Sequence, residues 1–508
     1  MGLILFTERH QEQIAGVISC YDRMLIQGTL PGLCYAQGMT RYLYARQIRI
    51  FDYPRFAQPL RDALRQNAER LAAANGLEIE FIRRTKSFRK EDKVHEVLKQ
   101  RGDHPGLVWI FSAKEPCSTY QPWHDKTSGK TYLRPDDGKC LHYYFYFIDP
   151  ELGLCSVRVP TWCPFRLQVY LNGHHRLARR LTQKGIGHTR LDNAFTRIED
   201  FDCAQALADH WPVEKLHRKL DEWAERYCPV ILPLEVGYHW SLDQVEFATD
   251  IVFRRQSDLQ AIYGHLTRTA IHAVKPDHVA TFLGRKLTAG YQDEMGNRFD
   301  TRIAGTRIRH TMGPATIKMY DKFGLILRIE TTVNEVSFFP HYRTVEQRDG
   351  STVTKWASMK KSIYSLPALR EALLAANRRY LEFISTLDDP SAGVDRLDKV
   401  SQPVRENDRT YRGFNFFAAE DQHLFETLAR GEFNLRGVQN RTLRPHLAHR
   451  TSAQVSRLLK RLRLHGLLKR IGRTYRYYLT QFGKHALTAG LKLKQLVLIP
   501  ELAYTHAT

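Results

Sequence analysis

The 508-residue sequence predicts a multidomain α+β protein. The expected order is a mainly helical N-terminal part (residues 1–104), an α+β section (105–230) and an antiparallel-sheet section with a candidate active site (231–386). A linker (387–415) and a basic helical module (416–500) follow. Three observations lead to this division. Apolar residues recur at helical spacing in some stretches and alternate in others, so both element types are present. The hydrophobic fraction of 43% suffices for several cores in a chain of this length. Positive charge is also segregated: residues 433–500 hold 15 Lys or Arg and no Asp or Glu, against a net charge of +22 for the whole chain. Mixed charges serve solubility, whereas a block of one sign reads as a surface for a polyanion.

Along the chain, residues 54–74 read as a helix, with Phe56, Leu60, Leu64 and Leu71 on one face and Asn75-Gly76 beyond its end. Strands are expected at 107–112, 141–148, 154–159 and 165–171. Asn172-Gly173 stops the last of these, and a basic helix continues through Arg176, Arg179, Arg180 and Lys184. A helix at 213–227 precedes a strand at 236–253, where small and polar residues interrupt aromatics as in a bulged strand. Short helices at 256–268 and 276–284, strands near 303–311, 315–322 and 325–333, and a helix over 366–386 complete a pattern of helices layered on an antiparallel sheet. No internal repeat shows.

Eight cysteines are scattered with no CxxC pair, which argues against a zinc ribbon or a thioredoxin-type site. The first ten residues lack a basic n-region and a long apolar run, and nowhere do 18 apolar residues run together. The expectation is a cytoplasmic protein without a membrane partner. Walker-type loops, Gly-rich dinucleotide fingerprints and nucleophile elbows are also missing, which argues against ATP use and Rossmann redox chemistry.

In the basic module, helices are expected at 418–430, 436–447 and 452–464, the last capped by Thr451 or Ser452 and buried through Val455, Leu458, Leu459 and Leu462. A hairpin follows, 467–471 with 475–479, and then a final helix from Gln481. The run VSRLLKRLRLHGLLKRIGRTYRYYLTQFG resembles winged-helix domains of the MarR type of regulator, over about residues 420–494. The resemblance implies a third helix in the major groove, with Ser452, Gln454, Arg457, Lys460, Arg461 and Arg463 toward DNA. It also implies a wing gripping phosphates through Lys469, Arg470, Arg473 and Arg476. A winged helix used for protein contact is the alternative, but it leaves the acid-free charge unexplained.

In the middle of the chain, TIKMYDKFGLILRIET resembles a pair of strands in rolling-circle replication initiators, the likeness resting on Lys318, Tyr320, Asp321, Lys322, Arg328 and Glu330. The chemistry of these residues is coherent with a catalytic group of Tyr320, Asp321 and Glu330, in which Asp321 and Glu330 hold Mg²⁺ or Mn²⁺ while the tyrosine attacks a phosphodiester. Glu246 and Asp250, four apart on the earlier strand, point to one side and add metal-binding carboxylates. No His-x-His pair occurs, so the two-histidine metal site common in nicking enzymes is missing. Each residue also has a plainer reading. Tyr320 suits a half-buried strand, Arg328 and Glu330 suit a same-face ion pair, and Asp321 suits a turn. His239 suits a packed position beside Trp240, and His174 a helix start.

The chain as a whole resembles a bacterial group of mobile-element character. More than 400 residues precede the basic module, far more than a small regulator needs. The function expected is therefore a DNA-binding protein of replication-initiator or transposition type, acting on duplex DNA, with a homodimer allowed. The alternatives are a non-catalytic regulator and a structured-RNA-binding protein whose aromatic strands stack bases.

Overall fold

The computed structural model describes residues 5–83, 88–286, 295–302, 305–385, 391–447, 449–472 and 474–504. The chain forms two compact units, 1–386 and 387–508. The larger is built on one sheet of eleven strands. They are β1 (Ile14–Thr29), β2 (Ile79–Phe81), β3 (Gly106–His124), β4 (Thr131–Asp149), β5 (Gly153–Pro160) and β6 (Leu167–Leu171). After the separate hairpin β7–β8 (His188–Leu191, Ala194–Ile198) come β9 (His239–Phe253), β10 (Met295–Arg302), β11 (Gly305–Met312), β12 (Ala315–Lys322) and β13 (Ile326–Val333).

Across the sheet the order is β10-β11-β12-β13-β9-β1-β6-β5-β4-β3-β2. One pattern is used twice. In each half a long strand leads into helices and then four antiparallel strands, and the last of these returns to pair with the first: β6 with β1, β13 with β9. The halves join where β1 and β9 pair antiparallel from Ile14↔Phe253 to Thr29↔His239. This repeat is one of topology, with no residue pattern to reveal it in the sequence.

One sheet face carries the main core. Helices Tyr53–Ala74, Val213–Tyr227, Gln256–His272 and Leu366–Ser385 pack there, and Tyr21, Phe145, Phe247, Ile329, Leu373 and Tyr380 join one apolar cluster. Asn377, wholly buried on the last helix, donates to the carbonyls of Phe247 (3.2 Å) and Ile329 (3.2 Å) and accepts from the Thr331 hydroxyl (2.6 Å). It thus fixes that helix over β9 and β13. The opposite face is covered only in parts. Helices Gly173–Gln183 and Phe201–Asp209 pack on Ile18 and Cys20, and helix Lys90–Arg101 packs over β3 and β4 through Val94. Ala194 of the β7–β8 hairpin covers Val252 and Ile326, and between these covers the face holds a cleft.

Three expectations are corrected. Residues 1–104 do contain helices, yet β1 runs through the centre of the sheet. Over residues 18–22 this strand is buried on both faces and so lacks the alternation that marks a strand in sequence. The sections expected as separate domains at 1–104, 105–230 and 231–386 share one sheet and one core, so the boundaries at 104 and 230 fall inside a single unit. β10 and the hairpin Pro340–Glu346/Thr352–Ser358 were not foreseen; the hairpin is largely solvent-exposed and has almost no apolar pattern to read.

In the smaller unit, part of the expected linker is structured. Helix Ser391–Ser401 and the hairpin Val404–Glu406/Arg409–Tyr411 precede the basic module, and Val400 and Phe414 lie in its core. Helices Ala419–Leu428, Gly431–Arg436, Asn440–Leu443 and Ser452–Leu464 follow. After them comes the hairpin Leu468–Arg470/Tyr477–Leu479, with Val438 bridged to Tyr477, and then helix Gln481–Lys492. The stripe Val455, Leu458, Leu459 and Leu462 is buried as its spacing predicts, and Thr451 is the cap, its Oγ accepting from Gln454 N at 3.3 Å. Among the described residues no helix is long and apolar enough to cross a membrane.

Replacing Asn377 by Leu leaves two carbonyls and a hydroxyl without their partner. We expect a loss of about 1–3 kcal/mol in denaturant unfolding of the full chain. An unchanged midpoint would show that the amide does not hold the helix to the sheet.

Candidate functional site

Strand alternation sorts the side chains of β9, β12 and β13. Phe247, Ile251, Ile317, Met319, Leu327 and Ile329 enter the core, so Glu246, Asp250, Lys318, Tyr320, Lys322, Arg328 and Glu330 share the opposite face. On β1 the register slips between Tyr21↔Phe247 and Arg23↔Glu246. The extra residue of this bulge is Asp22, which adds its carboxylate to the same face.

Arg328 is the hub of the cluster and is completely buried. Its Nε donates to Asp250 Oδ1 at 2.6 Å and its Nη2 to Asp250 Oδ2 at 2.7 Å, while Nη1 reaches Asp22 Oδ2 at 3.1 Å. Nη2 also donates to the Asn193 carbonyl at 2.6 Å, which ties in the β7–β8 hairpin. His174 lies between the same carboxylates, Nδ1 3.0 Å from Asp22 and Nε2 3.6 Å from Asp250. Gly173 makes that approach feasible, because a Cβ there would sit 2.0 Å from the Tyr21 carbonyl oxygen. Asn172 caps the helix, accepting from His174 N at 2.9 Å, and donates to Asp22 at 3.3 Å.

Burial works against every charge here, and the partners overcome it. Burial alone would raise the Asp22 and Asp250 carboxyls, yet Arg328 and His174 hold both below the ordinary range. Burial would likewise lower His174, but Cys20, Asp22 and Asp250 lift it well above the usual imidazole value.

Beside this hub, Glu330 forms a second centre. Its Oε1 accepts from Lys318 Nζ at 2.6 Å and its Oε2 from the Tyr320 hydroxyl at 2.7 Å; Lys318 Nζ is also 3.5 Å from Glu246. Asp22, Glu246 and Glu330 each offer an oxygen, and these lie within 4.8 Å of one another. This spacing suits a hard divalent cation with carboxylate ligands. Burial and the neighbouring Glu330 raise both the Glu246 carboxyl and the Tyr320 phenol. Lys322, whose charge burial disfavours, contacts the Asn193 side chain. Register places Arg298, Arg309 and Lys318 in one row across β10, β11 and β12, ending at Glu330 on β13.

The structure brings together Tyr320, Glu330 and Glu246 of the expected site, and Asp250 only through Arg328. Asp321 is on the other side of β12, where its carboxylate accepts from Gly324 N at 2.9 Å and shapes the turn to β13. It is therefore neither a ligand nor a catalytic group with Glu330. Arg328 pairs with Asp250 and Asp22, not Glu330. His239 is exposed rather than packed, and His174 is buried in the cluster rather than merely opening a helix. Asp22 and His174 are the residues the sequence did not give away, since a bulge and a glycine-permitted approach bring them in.

In the smaller unit, Arg461 is buried. It donates to both oxygens of Asp421 (3.1 and 3.2 Å) and lies 3.7 Å over the Phe414 ring, so it holds the core and cannot face DNA. Lys460 and Arg463 both contact Glu406 (2.8 and 3.3 Å). Gln454 completes the cap with Thr451, and Ser452 lies 3.3 Å from Asn440 Oδ1. Arg457, Lys469, Arg470 and Arg476 are exposed, with Arg470 also donating to the Thr474 carbonyl. Arg473 lies outside the described residues.

Compared with protein-family models, with curated proteins and with solved structures, the chain matches none. The site thus defines a class by its own geometry: an α+β protein with a buried, charge-balanced cluster opening onto a sheet face.

Replacing Arg328 by Met strands two buried carboxylates. We expect a loss of about 3–5 kcal/mol or failure to fold, read by denaturant titration. His174 carries the opposite pH sign from the aspartates. Its folded value is raised, so its stabilisation is complete below about pH 6.5 and is lost as pH rises through the folded value, at up to about 1.4 kcal/mol per pH unit. The aspartates stabilise above about pH 3.9 and lose that as pH falls through their lowered values. The stability gap between wild type and His174→Gln should narrow on going from mildly acidic to alkaline buffer; a constant gap would contradict a charged His174.

Proposed function

We propose that the protein is a DNA-binding protein of replication-initiator or transposition type. Its smaller unit reads duplex DNA as a winged helix, and the open sheet face of its larger unit cleaves a strand with a divalent cation. The observation that carries the cleavage reading is the Tyr320 hydroxyl at 2.7 Å from Glu330 Oε2, with oxygens of Asp22, Glu246 and Glu330 within 4.8 Å of one another. Helices followed by a hairpin, together with the exposed Arg457, Lys469 and Arg476, support the reading of the smaller unit.

The phenol is a poor nucleophile while protonated, and burial beside Glu330 keeps it so. Glu330 is placed to take its proton as the Tyr320 oxygen bonds to phosphorus. The bond from phosphorus to the 3′ oxygen then breaks, and that oxygen leaves with the electron pair and takes a proton from water. The 5′ phosphate remains on Tyr320. Asp22, Glu246 and Glu330 would hold Mg²⁺ or Mn²⁺, whose charge would neutralise the phosphate oxygens. Lys318, 2.6 Å from Glu330, supplies part of that charge itself.

That ammonium also favours a second reading. Because Lys318 already balances Glu330 and reaches Glu246, the cluster is complete without a cation, as a non-cleaving regulator requires.

Supercoiled plasmid and single-stranded circles incubated with Mn²⁺ separate the two. Nicked product covalently attached to protein, lost in Tyr320→Phe and in Glu330→Gln, is the expected result. Intact DNA with every metal would leave the regulator. For the smaller unit, Arg457→Glu with Lys469→Glu should weaken duplex binding and reduce the slope of log affinity against log salt by about one per lost phosphate contact. Equal or tighter binding of structured RNA at matched salt would overturn the DNA assignment.

A further inference from the structure

The repeated topology gives the charged cluster a counterpart. In the second half the cluster stands on β9, β13 and β12. In the first half the corresponding strands, β1, β6 and β5, together with β4, floor a cleft of about 510 Å³ on the same sheet face. The chemistry there has changed. The strands contribute Arg23, Ser156, Arg158, Gln168, Tyr146 and Tyr170, with no carboxylate, while helix Lys90–Arg101 adds Lys90 along one wall. The acids that line the cleft, Glu91 and Asp192, stand at its sides on other elements, and Glu91 is met by the Tyr146 hydroxyl at 3.3 Å.

We propose that this cleft is a binding site for one nucleotide of single-stranded DNA, holding the strand beside Tyr320 and Glu330. The inference rests on the nucleic-acid reading above and adds to it where the strand lies.

Arg23 carries the argument. It is the bulge neighbour of Asp22, stands opposite Glu246 in the register, and is exposed. Among the described residues it makes no hydrogen bond or salt bridge, unlike Arg158, which is committed to Glu115 at 2.8 Å. The charge of Arg23 is felt by Glu246 and Tyr170, but its donors are not engaged by a hydrogen bond, so at the mouth of a cleft its planar fork suits two phosphate oxygens. Lys90, 3.3 Å over the Tyr144 ring, has its charge disfavoured by burial, so a second anion in the cleft would relieve it. Tyr170 is partly exposed and offers a ring to a base. The volume lies within the range of small-ligand pockets and accommodates a nucleotide.

The cleft also adjoins the candidate site. Asn172 and Asn193 line it, and both donate to Asp22, at 3.3 and 2.5 Å. A strand with one nucleotide seated there would have its next phosphate led past Arg23 toward Glu246, Glu330 and Tyr320.

The test uses the full chain and a short fluorescein-labelled oligothymidylate, with binding followed by anisotropy. Arg23→Glu should weaken single-strand binding at least about tenfold and Tyr170→Leu at least about fivefold. Duplex gel shifts through the smaller unit should stay within about twofold, and an unchanged denaturant midpoint for the larger unit reports that the variants fold. Irradiating oligomers that carry 5-iododeoxyuridine should cross-link the peptides containing Tyr144, Tyr146 or Tyr170.

Single-strand affinity within about twofold of wild type in both variants overturns the proposal. So do cross-links confined to residues 416–504, or tighter binding of oligouridylate than of oligothymidylate. The cleavage reading fails separately. If wild type nicks nothing while Arg23→Glu still loses the single strand, the subsite stands without the chemistry.

Discussion

Arg328 is the constraint on which the larger unit depends. A guanidinium with no exposure must have its charge met and its donors satisfied, or the fold loses several kcal/mol. The groups that meet it come from β9, the bulge of β1 and the β7–β8 hairpin, and His174 links the same two aspartates to a helix. No one of these elements can slide by a residue without stranding a charge. The cluster therefore fixes the register at the seam between the two halves, where apolar packing alone would tolerate a slip.

The same sheet serves two purposes because its faces are chemically distinct. One is closed by long helices and an apolar core to which all three sections of the chain contribute. The other is closed over β3–β4, over the start of β1 and, through Ala194 of the β7–β8 hairpin, over Val252 and Ile326, leaving an aromatic and basic cleft on one half and an acidic and tyrosine-bearing cluster on the other. A duplicated topology makes this division simple. The two halves present equivalent strand faces, and where one carries carboxylates the other carries Arg, Ser and Gln.

In the smaller unit, net charge overstates the number of free cations. Of the basic residues on helix Ser452–Leu464, Arg461 is spent on Asp421 and on the Phe414 ring, and Lys460 and Arg463 meet Glu406 from the hairpin ahead of the module. Arg457 and the hairpin residues Lys469 and Arg476 are left to face outward. Net charge marks this stretch of the chain; the neighbours of each cation decide which side chains remain exposed.

The sequence by itself determined the elements whose pattern is local. The helix at Tyr53–Ala74, the paired strands β12 and β13, the capped and striped helix Ser452–Leu464 and the hairpin after it all follow from period, caps and turns. It also put Lys318, Tyr320 and Lys322 on one face of a strand, and Arg328 with Glu330 on one face of the next, because alternation is local; strand pairing then set Glu246 of β9 beside them. Only the tertiary structure decided that β1 is a strand at the centre of the sheet, since its middle, residues 18–22, is buried on both faces and shows no alternation. Alternation by itself also puts Asp321 on the far side of β12 from Tyr320, but only tertiary structure brought Asp22 and His174 into the cluster. Those two arrive from positions 306 and 154 residues away from Arg328, by a bulge and by a glycine that lets a helix touch a strand. Contacts of that range depend on which strands become neighbours, and no short stretch of sequence encodes that choice.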